Sequence, residues 1–111
     1  MKFYDEGKMK DARRKLEASI MKWPGVQRKE MMGCLCYFRG TKFFAFLITN
    51  GIVITKLTKE ERSELSGRLE SKPFEMAGRT ASSWIQLPVK KPATLRPLMP
   101  YIKKSYEAAL G

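Results

Sequence analysis

The sequence predicts an α+β domain in which helices pack against a small antiparallel sheet. Three observations predict this class: an apolar stripe of helical period near the N-terminus, β-rich segments separated by tight turns in the centre, and a second helical stripe near the C-terminus. A chain of 111 residues suits one domain, and 43% apolar residues suit a globular fold with one modest core. We therefore expect residues 1–111 to form one domain, with the order α-β-β-β-α-β-α.

The first helix is predicted over residues 5–23. Its apolar residues recur at spacings of three or four, as one face of a helix requires: Met9, Ala12, Leu16, Ile20 and Trp23. Acidic residues near its start suit the helix dipole, and Pro24-Gly25 is expected to end it.

Residues 33–57 predict a meander of three strands. The segments GCLCYF, KFFAFLIT and IVITKL are rich in β-branched and aromatic residues, which strands prefer. Arg39-Gly40-Thr41 separates the first two, and Asn50-Gly51, a strong hairpin signal, separates the last two. Residues 43–48 are apolar at every position, which predicts a central strand covered on both faces.

Cys34 and Cys36 raise the alternatives of a metal or redox site and of an ordinary buried strand. Two residues apart on a strand, they share one face at roughly 6.5–7 Å, the outer limit for a disulfide. The chain contains no histidine and no third cysteine, so the usual zinc ligands are missing. We predict two buried thiols that pack as small apolar side chains, and no metal or cofactor.

A second helix is predicted from about Lys59 to Leu69, because Thr58-Lys59-Glu60-Glu61 matches a capping box. Leu65 and Leu69 should face the sheet. Lys72-Pro73-Phe74 should break this helix, and SWIQL, residues 83–87, predicts a fourth strand closed by Pro88.

Trp84 in this fourth strand has two interpretations. It is either a packing residue or a stacking platform for a base or another flat ligand. The last helix is predicted from about Leu95 or Leu98 to Leu110, with Thr94 as its cap and prolines 97 and 100 in its first turns.

The net charge of +11 is large for this length and unevenly distributed. Residues 58–83 are neutral, whereas the segments before and after them carry the whole excess. Such a surplus attracts polyanions. The candidate nucleic-acid contacts are Lys10, Arg13, Arg14, Arg39, Lys42, Lys90, Lys91, Lys103 and Lys104. For the charges of the first helix, a solvated face with pairs such as Arg13–Glu17 is the competing interpretation.

Several segments together resemble the TfoX N-terminal domain family. MMGCLCYFRGTKFFAF is similar to its glycine-containing opening, and ITNGIVITKL to its hairpin. Lys72-Pro73-Phe74, Gly78-Arg79 and Ser83-Trp84-Ile85-Gln86-Leu87-Pro88 resemble its "Pro-Phe … Gly-Arg … Trp-x-x-x-Pro" stretch, and SYEAAL its closing helix. The likeness covers residues 12–110. It implies a YjbR/CyaY-like α+β fold and a regulatory role, as TfoX regulates natural competence within a longer protein; it implies no catalytic residues.

The first functional hypothesis is a non-enzymatic module that binds DNA or RNA through phosphate contacts, tolerant of sequence. The alternative is a protein-interaction or self-associating domain, a homodimer in the simplest case, that uses its methionines, its apolar hairpin or an open edge of the first strand. An enzyme is disfavoured because histidine, a G-x-S-x-G elbow and a glycine-rich phosphate loop are missing. A carboxylate pair among glutamates 60–75 stays open.

The sequence also favours a cytoplasmic protein without membrane contact. No apolar run approaches the ~20 residues that span a bilayer, and the charged N-terminal segment lacks a secretory signal.

Overall fold

The computed structural model describes residues 3–31, 33–76 and 78–109. Six strands form one antiparallel sheet in the order β1-β2-β3-β4-β6-β5. In chain order the elements are α1 (Glu6–Ile20), β1 (Val26–Met31), β2 (Cys34–Arg39), β3 (Lys42–Ile48), β4 (Gly51–Ile54), α2 (Lys59–Arg68), β5 (Lys72–Met76), β6 (Arg79–Pro88), the 3-10 helix η1 (Pro92–Leu98) and α3 (Met99–Ala108). The predicted α+β class is confirmed.

The sheet contains two strands more than the four predicted. β1 was missed because its sequence, VQRKEM, is polar and five of its six residues are exposed, which an edge strand permits. β5 occupies the predicted helix break, and Pro73 is tolerated there because β5 is the other edge. β6 begins at Arg79 rather than Ser83, so it is twice as long as expected.

The helices follow the predictions with shifts at their ends. α1 ends at Ile20, three residues early, while Trp23 still packs against the core. In α2 the capping box is present: the Thr58 hydroxyl accepts from the Glu61 N–H at 3.1 Å, and the Glu61 carboxylate accepts from the Thr58 N–H at 2.9 Å. The Asn50-Gly51 hairpin is confirmed, with Thr49 and Asn50 as its loop residues.

The C-terminal helix is divided into η1 and α3. Proline lacks the N–H that continues an α-helix, and η1 begins and nearly ends with proline, at Pro92 and Pro97. The predicted cap at Thr94 is wrong, because Thr94 lies inside η1, which has no side-chain cap. The predicted end at Leu110 lies outside the described residues.

The main core lies between one face of the sheet, the helix-side face, and the helices. Leu16 of α1, Leu47 of β3 and Ile102 of α3 are fully buried there. A β-bulge turns two neighbours, Phe44 and Ala45, toward this side, because one extra residue in β3 breaks the alternation of faces.

The opposite face of the sheet, the open face, carries a second apolar cluster that contains no helical residue among those described. The Phe74 ring of β5 lies 5.2 Å from the Phe46 ring of β3, although two strands separate them. In a flat sheet three strand spacings would be about 14 Å. The sheet therefore curls, and the β5–β6 hairpin folds back over the open face.

Candidate functional site

A cavity of about 460 Å³ lies on the open face, between the β5–β6 hairpin and strands β1 to β3. Aromatic rings form one wall: Trp84 lies edge-to-face against Phe43 at 5.3 Å and against Phe46 at 5.7 Å between centroids. Such pairs stabilise one another beyond the burial of their area. Trp84 and Phe43 are half-buried, so they pack against the cluster and also line accessible space.

Cys34 and Cys36 line the same cavity, which answers the question of the two cysteines. Both side chains are buried on the open face, as predicted, and neither forms a disulfide. Burial raises the pKa of the Cys34 thiol, and burial with the neighbouring Cys34 raises the pKa of Cys36 to about 11. At neutral pH both are therefore protonated and weakly nucleophilic, which suits packing rather than chemistry.

Three cations border the open face. Ala81 of β6 pairs with Phe74 of β5, so the two side chains lie on the same face of the hairpin. Arg79 is two residues from Ala81 on the same strand and therefore shares that face. The ammonium of Lys29 lies 5.4 Å from the Phe38 ring centre, and that of Lys56 lies 5.8 Å from the Phe43 ring centre. Among the described residues no carboxylate lines the cavity.

The sequence prediction missed these three cations, and only part of their placement was visible in the chain. Lys29 and Arg79 lie in segments that were not predicted as strands, so their orientation could not be assigned. Lys56 lies near the end of the third predicted strand, IVITKL, and that position was the available signal.

The nine predicted nucleic-acid contacts do not form one surface. Arg39, Lys42 and Lys103 come together at the end of the sheet that holds the β2–β3 turn. The Arg39 guanidinium lies 4.0 Å from the Tyr106 ring centre and the Lys103 ammonium 5.2 Å from the same centre. Lys42 stands opposite Arg39 in the β-ladder. We call these three residues the turn-end cations.

A second group lies at the opposite end of the strands. The Asn50 N–H donates to the Met9 sulfur at 3.1 Å, and the Asn50 carbonyl accepts from the Val89 N–H at 3.0 Å. The exposed Lys10 is the residue after Met9, and the exposed Lys90 and Lys91 are the two residues after Val89. Seven residues of β3 separate the two groups, a span of roughly 20 Å. Arg14 is exposed farther along α1.

Two of the nine are neutralised within the fold. Arg13 donates to Glu6 at 2.8 Å and to Glu17 at 3.0 Å, which matches the competing interpretation of a salt-bridged helix face. The hydrogen bond with Glu6 raises the pKa of Arg13, and hydrogen bonds from Arg13 and Tyr4 lower the pKa of Glu6 to about 2. Lys104 lies 3.7 Å from a carboxylate oxygen of Glu61. Neither residue offers its full charge to a partner.

Two glutamates of the suggested carboxylate pair's segment take part in structural hydrogen bonds. Glu61 serves the capping box, and Glu64 accepts a hydrogen bond from Tyr101 at 2.6 Å. Within the described ranges, no three histidine, cysteine or acidic side chains lie close enough to hold a metal ion. No described helix is long and apolar enough to cross a membrane.

Comparison with known proteins adds no relative: no family model matches the chain, and no similar curated protein or solved structure is found. The likeness to the TfoX N-terminal domain therefore stays a prediction that rests on the quoted segments.

Proposed function

We propose that this chain is a non-enzymatic domain that binds nucleic acid through contacts of lysine and arginine side chains with phosphates. The observation that carries the proposal is the group of turn-end cations, Arg39, Lys42 and Lys103, which the fold brings to one end of the sheet. Among the described residues none of them forms a salt bridge. Their charge is thus available to a polyanion.

Such contacts supply affinity without reading a sequence, because phosphates are the same at every position. The rings of Trp23 and Tyr106 hold the cations in place: the Lys103 ammonium lies 4.6 Å from the Trp23 ring centre. A regulatory role, as the family resemblance implies, agrees with a basic domain, and two buried thiols without a disulfide agree with the cytoplasmic location expected from the sequence.

Self-association through a sheet edge receives less support. The first predicted strand is β2, and β1 covers the edge that it was expected to expose. β1 itself carries Arg28, Lys29 and Glu30, and β5 carries Pro73. Charges and proline on edge strands oppose pairing with a second chain.

The test is fluorescence anisotropy with labelled duplex DNA, single-stranded DNA and RNA at several salt concentrations. We expect binding that weakens log-linearly with salt, with a slope of about 0.9 per phosphate contact for duplex DNA. The double variant Lys42→Gln/Lys103→Gln removes two phosphate contacts and should therefore lower the magnitude of this slope by about 1.8. Lys59→Gln, which removes a charge from the neutral segment, is the control and should leave the slope unchanged.

Two results would refute the proposal. One is the lack of binding to all three nucleic acids even at low salt. The other is a Lys42/Lys103 variant with the same slope and affinity as the Lys59 control.

A further inference from the structure

We propose that the cavity on the open face is a binding site for a small apolar acid: a molecule with a hydrocarbon or aromatic body and one carboxylate. This site is separate from the turn-end cations and does not depend on nucleic-acid binding.

The size and lining of the cavity point to an apolar body. Its volume of about 460 Å³ falls within the range of roughly 300–1,000 Å³ typical of small-molecule sites. Protein interiors are otherwise close-packed, and water gains little in a space lined by rings, thiols and thioethers. Phe43, Phe46, Phe74 and Trp84 hold one another by edge-to-face contacts, so the wall exists before a ligand enters.

The charge at the rim points to an acid. Arg79 is exposed, lines the cavity and shares the face of Phe74. A guanidinium pairs with a carboxylate through two parallel hydrogen bonds. Lys29 and Lys56 add positive charge on the same face. The acidic residue nearest along the hairpin, Glu75, is exposed and is not among the described residues that line the cavity.

The same lining disfavours a nucleobase, the other flat ligand considered for Trp84. A buried base must satisfy several donors and acceptors on its edges. Apart from the two thiols and the indole N–H of Trp84, which donates only, the polar residues among the described lining are Arg79 and Thr80, and both lie at the exposed rim. A carboxylate that stays at the rim meets this arrangement, because only its apolar body enters the cavity.

The first experiment compares octanoate with 1-octanol by isothermal titration calorimetry. We expect octanoate to bind with a Kd below about 1 mM and 1-octanol to bind more weakly. Arg79→Gln should raise the Kd for octanoate about tenfold and leave the Kd for 1-octanol unchanged. Arg96→Gln, an exposed arginine on η1, is the matched control and should change neither.

A second measurement needs no variant. Because Cys34 and Cys36 line the cavity, bound octanoate should slow their reaction with a soluble disulfide reagent several-fold, at the concentration that saturates the calorimetric signal. The half-buried Ala81 also lines the cavity, and Ala81→Leu, whose larger side chain narrows the cavity, should weaken binding of both ligands in a protein that remains folded by circular dichroism.

Three results would overturn the proposal: octanoate that fails to bind the wild-type chain, octanoate that leaves the thiol reaction unchanged, or Arg79→Gln that weakens both ligands equally. Displacement of bound single-stranded DNA by octanoate would overturn the claim that this site is separate from nucleic-acid binding, because the two ligands would then compete. Loss of DNA binding in the Lys42/Lys103 variant concerns the other surface and leaves this test unaffected.

Discussion

Glu17 joins α1 to the sheet through two side chains, Arg28 of β1 and Tyr37 of β2. Its carboxylate accepts from Arg13 at 3.0 Å, from Arg28 at 3.0 Å and from the Tyr37 hydroxyl at 2.7 Å. Tyr37 is fully buried, and burial together with this hydrogen bond raises its pKa. A buried hydroxyl and the Arg28 guanidinium thus share one acceptor, whereas Arg13 also donates to Glu6.

Glu17→Ala should therefore destabilise the fold by about 2–3 kcal/mol, since it leaves a buried donor and two cations without their shared partner. Urea denaturation measures the free energy of unfolding. Glu107→Ala, at an exposed position of α3, should change it by less than about 0.5 kcal/mol. An equal effect of the two substitutions would show that the Glu17 network contributes nothing measurable.

The thiol of Cys36 should titrate far above the pH at which an unfolded thiol does. Its pKa of about 11 in the folded chain lies above the value of about 8.5 for an exposed cysteine. The folded state therefore disfavours the thiolate, so this group's contribution to stability is complete below about pH 8.5 and is lost as the pH rises through about 11. Iodoacetamide should modify the native protein slowly at pH 8 and the guanidinium-unfolded chain rapidly; equal rates would contradict the burial of the thiol.

At the scale of elements, Ser105 fastens α3 to the sheet. Its hydroxyl donates to the Phe44 carbonyl at 2.6 Å and accepts from the Lys56 N–H at 3.0 Å. The bulge at Phe44 disturbs the ladder where this contact forms. The Ser105 side chain thus satisfies the Lys56 N–H beyond the end of β4 and shares the Phe44 carbonyl with the Thr55 N–H.

Ser105→Ala should cost about 1–3 kcal/mol, because the Lys56 N–H would be left without an acceptor in the interior. Thermal unfolding followed by circular dichroism would measure this as a lowered Tm. Ser83→Ala, exposed on β6, is the matched control. A Tm for Ser105→Ala equal to that of the control would mean that water or a shifted backbone replaces the hydroxyl.

Long patterned elements were predictable, and the edge strands were not. α2 could be placed because its capping box is a local signal, and β3 because the apolar run of residues 43–48 marks a covered strand. β1 and β5 have no such pattern, since an edge strand obtains its hydrogen bonds from its neighbour rather than from its own side chains. The missed strands are the ones that complete the cavity.

At the scale of the whole molecule, the basic residues lie at two separated ends rather than on one surface. The turn-end cations lie at the β2–β3 turn, whereas Lys10, Lys90 and Lys91 lie near Asn50. The principal extents of the protein are 33 × 32 × 26 Å. One end or both ends can therefore contact a nucleic acid, and the two arrangements differ in salt dependence.

Two double variants of equal charge distinguish them. We expect Lys42→Gln/Lys103→Gln to reduce affinity for duplex DNA and to lower the salt slope by about 1.8, and Lys90→Gln/Lys91→Gln to change both less. Lys90 and Lys91 lie in an irregular connection, where holding their side chains costs more entropy. A larger effect of Lys90/Lys91 would move the interface to the Asn50 end.

The sequence by itself determined the α+β class, the central strand, the capped helix and the burial of the two cysteines, because each depends on a local pattern or on side-chain chemistry. Only the tertiary structure decided which charges are neutralised, which lie together and that a cavity exists. Those properties depend on the curl of the sheet and on ion pairs such as Arg13 with Glu6, seven residues apart. Contacts between distant or unpatterned segments leave no periodic trace in the chain, so packing alone establishes them.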